Sequence, residues 1–389
     1  MLKRMRSFLV LVMLFITVTM SAQVTTATMS GKVTAQDEPI IGATIVAVHE
    51  PSGTRYGTVT NVSGQFNLQG MRTGGPYKVE ISYVGYQTAI YKGINLLLGE
   101  NYVLNVSLKE SSELLDEVVV TASKESNMKS DRAGAIMNAN RDMISNTPTI
   151  SRSISDIMRL SPQGADVGNG FAVGGGNYRQ SFVTVDGAAF NNTFGLGGNL
   201  PANGSPISLD ALEQVTVAVT PFDVRQSGFT GGAINAVTRS GDNQFRGTVY
   251  GYFNNENLRG DKVEDYKLTR SKSQYYTYGA SFGGPIIKDK LFFFVNGEYE
   301  DNVTAGSSYQ PRTSLDQEYT GNVRRPVENT IVDGNETWVG LNDMRQYLKE
   351  KYNYDPGRYN NYSVNTPAYR IMARLDWNAN LNNKLNLRF

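Results

Sequence analysis

From Asn243 to Phe389 the chain repeats one pattern, runs of roughly ten residues in which apolar and polar side chains alternate. Successive side chains of an extended strand point to opposite faces, so this period-two pattern means strands with one apolar and one polar face. In Tyr369-Arg370-Ile371-Met372-Ala373-Arg374-Leu375-Asp376-Trp377, one face carries Tyr, Ile, Ala, Leu and Trp, and the other carries Arg, Met, Arg and Asp. Leu291, Phe293, Val295 and Tyr299 likewise share a face opposite Asn296 and Glu298. Similar runs occupy residues 244–253, 274–283, 290–300 and 368–378, and this region holds 15 of the 22 tyrosines. A soluble sandwich also alternates in this way. Strands of about ten residues that end in aromatics and face a charged interior are instead the mark of an outer-membrane barrel. The connections 254–273, 284–289, 301–366 and 379–383 run long, short, long, short. External loops and periplasmic turns have that rhythm.

Composition removes most other functions. Lys+Arg 37 against Asp+Glu 36 leaves a net charge of +1, so nucleic acid is not expected as a partner. A mean hydropathy of −0.34 excludes a bundle of membrane helices, each needing ~20 consecutive apolar residues, and leaves strands untouched. No Cys is present, which rules out disulfides, iron–sulfur clusters and thiolate zinc sites. With His49 as the only histidine, a site needing two imidazoles is excluded as well. Neither a metal nor a cofactor is expected, and few nucleophile–base pairs remain for an enzyme. Gly168-Asn169-Gly170 starts like a dinucleotide loop but lacks the third glycine and the preceding strand. His49 ends an alternating run before Pro51 and is expected to face solvent.

The remaining zones follow in chain order. Residues 1–22 read as a signal peptide: Lys3, Arg4 and Arg6, an apolar run over 7–20, then Met20-Ser21-Ala22. Residues 23–110 contain short runs (42–48, 65–68, 77–83, 102–108) separated by Gly, Pro, Asn and Ser turn clusters, as in a small β-sandwich. Residues 111–128 are polar around Leu115, Asp116, Glu117, Val118, Val119, Val120 and Thr121. This core fits either a buried edge strand or a peptide that adds to a partner's sheet edge. Residues 129–242 begin with a helix expected over 149–162, where Ile150, Ile154, Ile157 and Met158 have helical spacing and Pro162 is the stop. A glycine-rich stretch, a strand ending in Asp186-Gly187, a helix start at 207–212 and a strand at 215–219 come next. Residues 243–389 are the barrel strands.

Several of these stretches resemble known domains. Gly31-Lys32-Val33, Pro39-Ile40-Ile41-Gly42-Ala43, Gly57-Thr58-Val59-Thr60, Gly64-Gln65-Phe66 and Tyr83-Val84-Gly85-Tyr86 resemble the carboxypeptidase-regulatory-like domain, a prealbumin-type sandwich. That family usually has Asp where this chain has Asn61. The Leu115–Thr121 core is similar to a TonB box. Residues 129–242 resemble the plug of TonB-dependent outer-membrane receptors. The matching features are a helix with Arg152 and Asp156 before Ser161-Pro162, the Val185-Asp186-Gly187 strand, Leu212-Glu213 in an L-E-x-V strand, and Gly231-Gly232-Ala233-Ile234-Asn235. The glycine-rich stretches before Asp186 and over 190–206 are similar to the starch-utilisation-like and Oar-like branches of that family.

This resemblance implies a mainly β chain with a prealbumin-like sandwich, an α+β plug and the first strands of an antiparallel transmembrane β-barrel. It implies outer-membrane lipid around the barrel, with sandwich and linker in the periplasm. TonB, with its inner-membrane energising complex, would contact Leu115, Asp116, Glu117, Val118, Val119, Val120 and Thr121. A surface lipoprotein is a further expected partner. The cargo would be a glycan, a peptide or a metal chelate, moved without covalent chemistry or cofactor. Rival readings are a surface adhesin without transport and a non-functional truncated fragment. A plugged barrel of this kind has about 22 strands, whereas the alternation supports five, so a longer receptor is expected.

Overall fold

The computed structural model describes residues 25–111, 118–121, 136–149, 152–167, 170–190, 200, 205–219, 231–267, 271–306, 330–332, 335–337, 341–357, 362–381 and 383–389. The expected signal peptide lies outside them. Residues 1–249, 280–298 and 370–389 make one compact unit, and residues 250–279 and 299–369 a second.

The first unit opens with a sandwich. Its strands are β1 (Ala27–Ala35), β2 (Glu38–Pro39), β3 (Thr44–His49), β4 (Thr54–Val59), β5 (Gln65–Met71), β6 (Gly74–Ser82), β7 (Ala89–Leu96), β8 (Asn101–Val103) and β9 (Val106–Ser107). One sheet has β1 between β2 and β5, with β8 and β9 parallel to β1; the other runs β7-β6-β3-β4. Alternation buries Met29, Val33, Ile45, Tyr77, Ile81, Ile94 and Leu96 completely between the sheets. Asn61 closes its turn by accepting from the backbone N–H of Ser63 and of Gln65, both at 2.9 Å, ahead of Gly64 at φ +73°. Its side chain is therefore occupied by the turn. His49 corrects an expectation. It is buried, in phase with Ile45 and Ala47 on the core face of β3. Its Nδ1 lies 2.7 Å from Ser52 Oγ and its ring meets Tyr77 edge-on at 5.0 Å.

A fifth strand, β10 (Val118–Thr121), lies parallel to β7 and makes the second sheet β10-β7-β6-β3-β4.

The plug follows as β11 (Ile136–Ala139), α1 (Arg141–Asn146), α2 (Ile154–Met158), β12 (Gly164–Asp166), β13 (Phe171–Val173), β14 (Phe182–Val185), β15 (Ala188–Ala189), β16 (Leu212–Ala218) and β17 (Ala233–Thr238). Its sheet order is β11-β16-β17-β14-β15, with β14 parallel to β17. Central strands β16 and β17 are buried on both faces, which is why their apolar residues run nearly continuously. Ile144 of α1 and Ile154, Ile157 and Met158 of α2 share a core with Val183, Val215, Val217 and Ile234. Of the helix expected over 149–162, residues 150 and 151 lie outside the described residues, and among the described ones the helix is α2 alone. Ser153 N–H bonds to Asp156 Oδ2 at its start, and three residues past its end Ser161 begins the next turn. Helix α1 was not foreseen in the sequence, although Asn140 caps it by accepting from Met143 N–H at 2.9 Å.

The last region contains β18 (Arg246–Asn255), β19 (Lys262–Val263), β20 (Tyr266–Lys267), β21 (Ser273–Ile287), β22 (Leu291–Ala305), β23 (Thr330–Val332), β24 (Asn335–Thr337), α3 (Leu341–Tyr352), β25 (Ser363–Asn378) and β26 (Lys384–Arg388). Five of these form the meander β18-β21-β22-β25-β26. In the first unit Phe292, Phe294, Asn296, Glu298, Arg370, Met372 and Arg374 are buried, while Val295, Ile371, Leu375 and Trp377 are exposed. Charge inside and apolar groups outside is the inverse of a soluble protein and fits a wall facing lipid. In the second unit the Tyr299 and Tyr369 rings, and those of Phe253 and Tyr276, lie 4.9 Å apart. Connection 301–366 is shorter than expected, because β22 persists to Ala305 and β25 starts at Ser363. It also holds α3, whose Arg345 grips Asp355 just past the helix end through two bonds of 2.7 and 2.8 Å. The short turn shrinks from 284–289 to 288–290, since β21 continues to Ile287. Among the described residues no helix is long and apolar enough to cross a membrane.

Candidate functional site

Where the plug meets the strand wall, side-chain bonds join the two. Asp186 follows β14 at φ +51°, with Gly187 at φ +85° completing the turn. The turn aims the Asp186 carboxylate at the end of β17, where it accepts from Thr238 N–H at 3.0 Å and from Thr238 Oγ1–H. From the wall, Arg388 of β26 comes within 3.4 Å of the same carboxylate and donates to the Asp186 carbonyl at 3.2 Å. Two residues before Asp186, on β14, Thr184 donates to Asn235 Oδ1 at 2.7 Å across the parallel pair.

Asp210 is a second junction. Arg141 of α1 donates to it at 3.2 Å, and Arg239 lies 3.7 Å away. From the wall, Thr248 on β18 and Ser281 on β21 donate at 2.6 and 2.7 Å. Burial works to raise the Asp210 pKa, but these hydroxyl bonds and the two guanidinium groups outweigh it and hold it below the ordinary carboxylate value. Glu213, three residues on, shows the opposite balance. Burial raises its pKa against the pull of Arg141, Arg239, Arg72 and Arg374. Both Glu213 and these arginines line a cavity of about 400 Å³ that also reaches Tyr56 and Lys384.

The third junction is fully buried. Glu298 of β22 and Arg370 of β25 pair at 2.8 Å, and Ser208 of the plug donates to the other Glu298 oxygen at 2.8 Å. Arg370 also donates to the Ser205 carbonyl, and Arg374 donates to the Thr238 carbonyl at 2.6 Å. Such charges tolerate burial because every one has a partner.

The sandwich is fastened to the plug core through Gln214. This buried β16 side chain accepts from Leu98 N–H at 2.8 Å and donates to the Leu96 carbonyl at 3.1 Å. It thus imitates a strand neighbour for the end of β7. Arg72 adds a bond to the Gly241 carbonyl at 3.0 Å.

Sequence-predicted residues fall into three places. Asp186, Gly187, Gly231, Gly232 and Asn235 converge around β14 and β17. A Cβ on Gly232 would come 2.4 Å from Val173 Cγ1, and one on Gly231 would come 3.1 Å from the Gln180 backbone. Asp156 serves the start of α2 and bonds Arg159 at 3.7 Å, while Arg152 precedes that helix at φ +50°. Val118, Val119, Val120 and Thr121 form β10, on the chain's own sandwich. Leu115, Asp116 and Glu117 lie outside the described residues. Asp210, Gln214, Ser208 and Arg388 escape sequence reasoning, since no spacing marks them. Glu298, Arg370 and Arg374 were legible as an inward face, but their plug partners were not.

Residues 28–109 match the carboxypeptidase regulatory-like domain, and residues 237–389 match the outer membrane beta barrel domain. Among curated proteins, the TonB-dependent transporter Oar of Myxococcus xanthus is 32% identical over 37% of this chain and 14% of its own length. The TonB-dependent receptor SusC of Bacteroides thetaiotaomicron is 29% identical over 68% of this chain and 26% of its own. Over these stretches the chain is similar to TonB-dependent receptors. A third relative, the probable TonB-dependent siderophore receptor PirA of Acinetobacter baumannii, is 26% identical over 51% of the chain and 27% of its own length. The barrel-domain match places the chain in the outer membrane, with β18, β21, β22, β25 and β26 as wall strands. The chain spans between 14% and 27% of the length of these relatives, which are receptors and transporters and not enzymes.

Proposed function

We propose that the protein is a TonB-dependent transporter that carries a nutrient ligand across the outer membrane without chemical change. In this reading residues 1–22 direct export, 23–110 are the periplasmic sandwich, 111–128 the linker, 129–242 the plug and 243–389 the start of the barrel. TonB, powered by its inner-membrane complex, binds Leu115, Asp116, Glu117, Val118, Val119, Val120 and Thr121, and pulls on the plug. Arg152, Asp156, Asp186, Gly187, Glu213, Gly231, Gly232 and Asn235 are its plug motif, with Asp186-Gly187 and Gly231-Gly232 serving backbone geometry more than ligand contact. No catalytic role is assigned to any of them.

The observation that carries this reading is the nature of the plug–wall junctions. Asp186–Arg388, Asp210–Thr248 and Ser208–Glu298 are side-chain bonds, which exchange partners without breaking the plug's own sheet. Such a mode of attachment suits the two-state element that a gated pore requires. One relative is named for siderophores, so a metal chelate stands beside a glycan or a peptide as cargo. A surface lipoprotein that hands over ligand fits the same arrangement.

The test uses cells carrying the complete receptor, with and without TonB, offered oligosaccharides, oligopeptides and ferric chelates in turn. Uptake of one class only when TonB is present supports the transporter. Surface retention without uptake in both strains supports the adhesin instead.

A further inference from the structure

Strand β7 touches two things at its two ends. Its first four residues pair with β10, in the register Val118↔Ala89, Val119↔Ile90, Val120↔Tyr91 and Thr121↔Lys92. Its last residue, Leu96, is clasped with Leu98 by the plug side chain Gln214. Between the two, β7 is welded to β6. Gly93, at φ +78°, and the register shift beside it end the flat edge directly after Lys92. The docking edge is therefore four residues long, the length of β10 itself.

We infer that β7 is a tie between the linker strand and the plug core, so that a pull on Val118–Thr121 reaches β16 through the Gln214 clasp. This rests on the proposed contact of that segment with TonB. The covalent route from Thr121 to the plug strand β11 passes through residues 122–135. Those 14 residues have a contour of up to ~50 Å at the length per residue of an extended chain. The hydrogen-bonded route through β7 contains no such length and takes load first. Its plug end is buried and bidentate, since the Gln214 amide offers one acceptor and one donor to successive polar groups of the sandwich. The load arrives on β16, which lies between the edge strand β11 and the central strand β17 of the plug sheet. Among the described residues β10 also has one edge without a neighbouring strand, since it ends the sheet order. A partner strand can add there while β10 stays docked, at low ordering cost because the segment is already extended.

Single-molecule pulling on the complete receptor in a planar bilayer tests this. A peptide handle replaces residues 113–116 and the chain is cut at a protease site placed just before it, because Ser111 is itself bonded to the Gly85 carbonyl of the sandwich. Tension then enters only through Val118, without any TonB. In the unaltered receptor the first plug-unfolding event is expected at an extension short of that ~50 Å contour. With Gln214→Met, which keeps the volume and removes both bonds, that event should come later by up to ~50 Å of extension. An unchanged extension overturns the inference. Should Gln214→Met not reach the membrane, Gln214→Asn, one methylene shorter, replaces it with the same expectation. A second arm joins β10 to β7 by Tyr91→Cys and Val120→Cys, adjacent across strands ~4.8 Å apart and so within disulfide reach. Oxidation should leave the curve unchanged, because β10 does not leave β7. If oxidation shortens the extension, the strand detaches under load and the tie does not exist. Pulling separately with the periplasmic domain of TonB on the tip shows whether TonB grips the segment. Failure there rejects the contact reading and leaves the handle result to judge the tie.

Discussion

Glu298 and Arg370 pair at 2.8 Å with both side chains 3% exposed, and the plug reaches the pair through Ser208. Two charges from neighbouring wall strands thus form the seat on which a plug loop is bonded. Removing one partner leaves the other buried and uncompensated, at about 3–5 kcal/mol. Glu298→Gln or Arg370→Met should therefore lower the denaturant midpoint of the folded receptor in detergent. The double variant Glu298→Leu/Arg370→Met should recover most of the loss. Additive losses would mean that the pair is not coupled.

Gly232 has no room for a side chain against Val173 and the Ala218 carbonyl. Gly232→Val should cost about 1–3 kcal/mol by overpacking and reduce the amount of heat-modifiable receptor in the outer membrane. Normal accumulation with only ligand affinity lost would assign this glycine to binding instead.

Burial, with a contribution from the Arg72 charge, lowers the His49 pKa from 6.5 to about 3. The folded state thus holds the neutral ring, whereas the unfolded chain takes up a proton below pH 6.5. A depressed folded pKa contributes stability that is present above the unfolded value and lost as pH falls toward the folded one. Between pH 6.5 and 5 the loss is ~2 kcal/mol at one proton. Thermal unfolding at pH 7 and pH 5 should show this drop, and His49→Gln should flatten it. An equal drop in His49→Gln would place the titration elsewhere.

The alternation of wall residues also predicts topology. If β18 leaves the plug outward, the connection after β22 is external and the turn 288–290 is periplasmic. On intact cells a tag at Asn335 should be antibody-accessible and one at Lys288 should not. The reverse would overturn the orientation of the wall.

Much of this architecture was readable before any coordinates. Period two in Tyr369–Trp377 named both faces of β25, and L-E-x-V and G-G-x-I-N located β16 and β17. His49 was readable too, because it shares parity with Ile45 and Ala47, but the nearby Pro51 suggested exposure. Leu341, Met344 and Leu348 have the helical spacing of α3, yet the stretch sits among loop residues that mask it. What no pattern contains is partnership across the chain. Ser208 with Glu298 is 90 residues apart and Gln214 with Leu96 is 118. The same holds for β10, whose apolar core announces a strand without saying which sheet it joins.

Transport through the pull on the linker strand is tested most directly by deleting residues 115–122 from the complete receptor. The measurement is TonB-dependent uptake beside ligand binding at the surface of intact cells. Uptake should be abolished while surface binding stays at the level of the unaltered receptor. Undiminished uptake in the deletion strain would contradict the account.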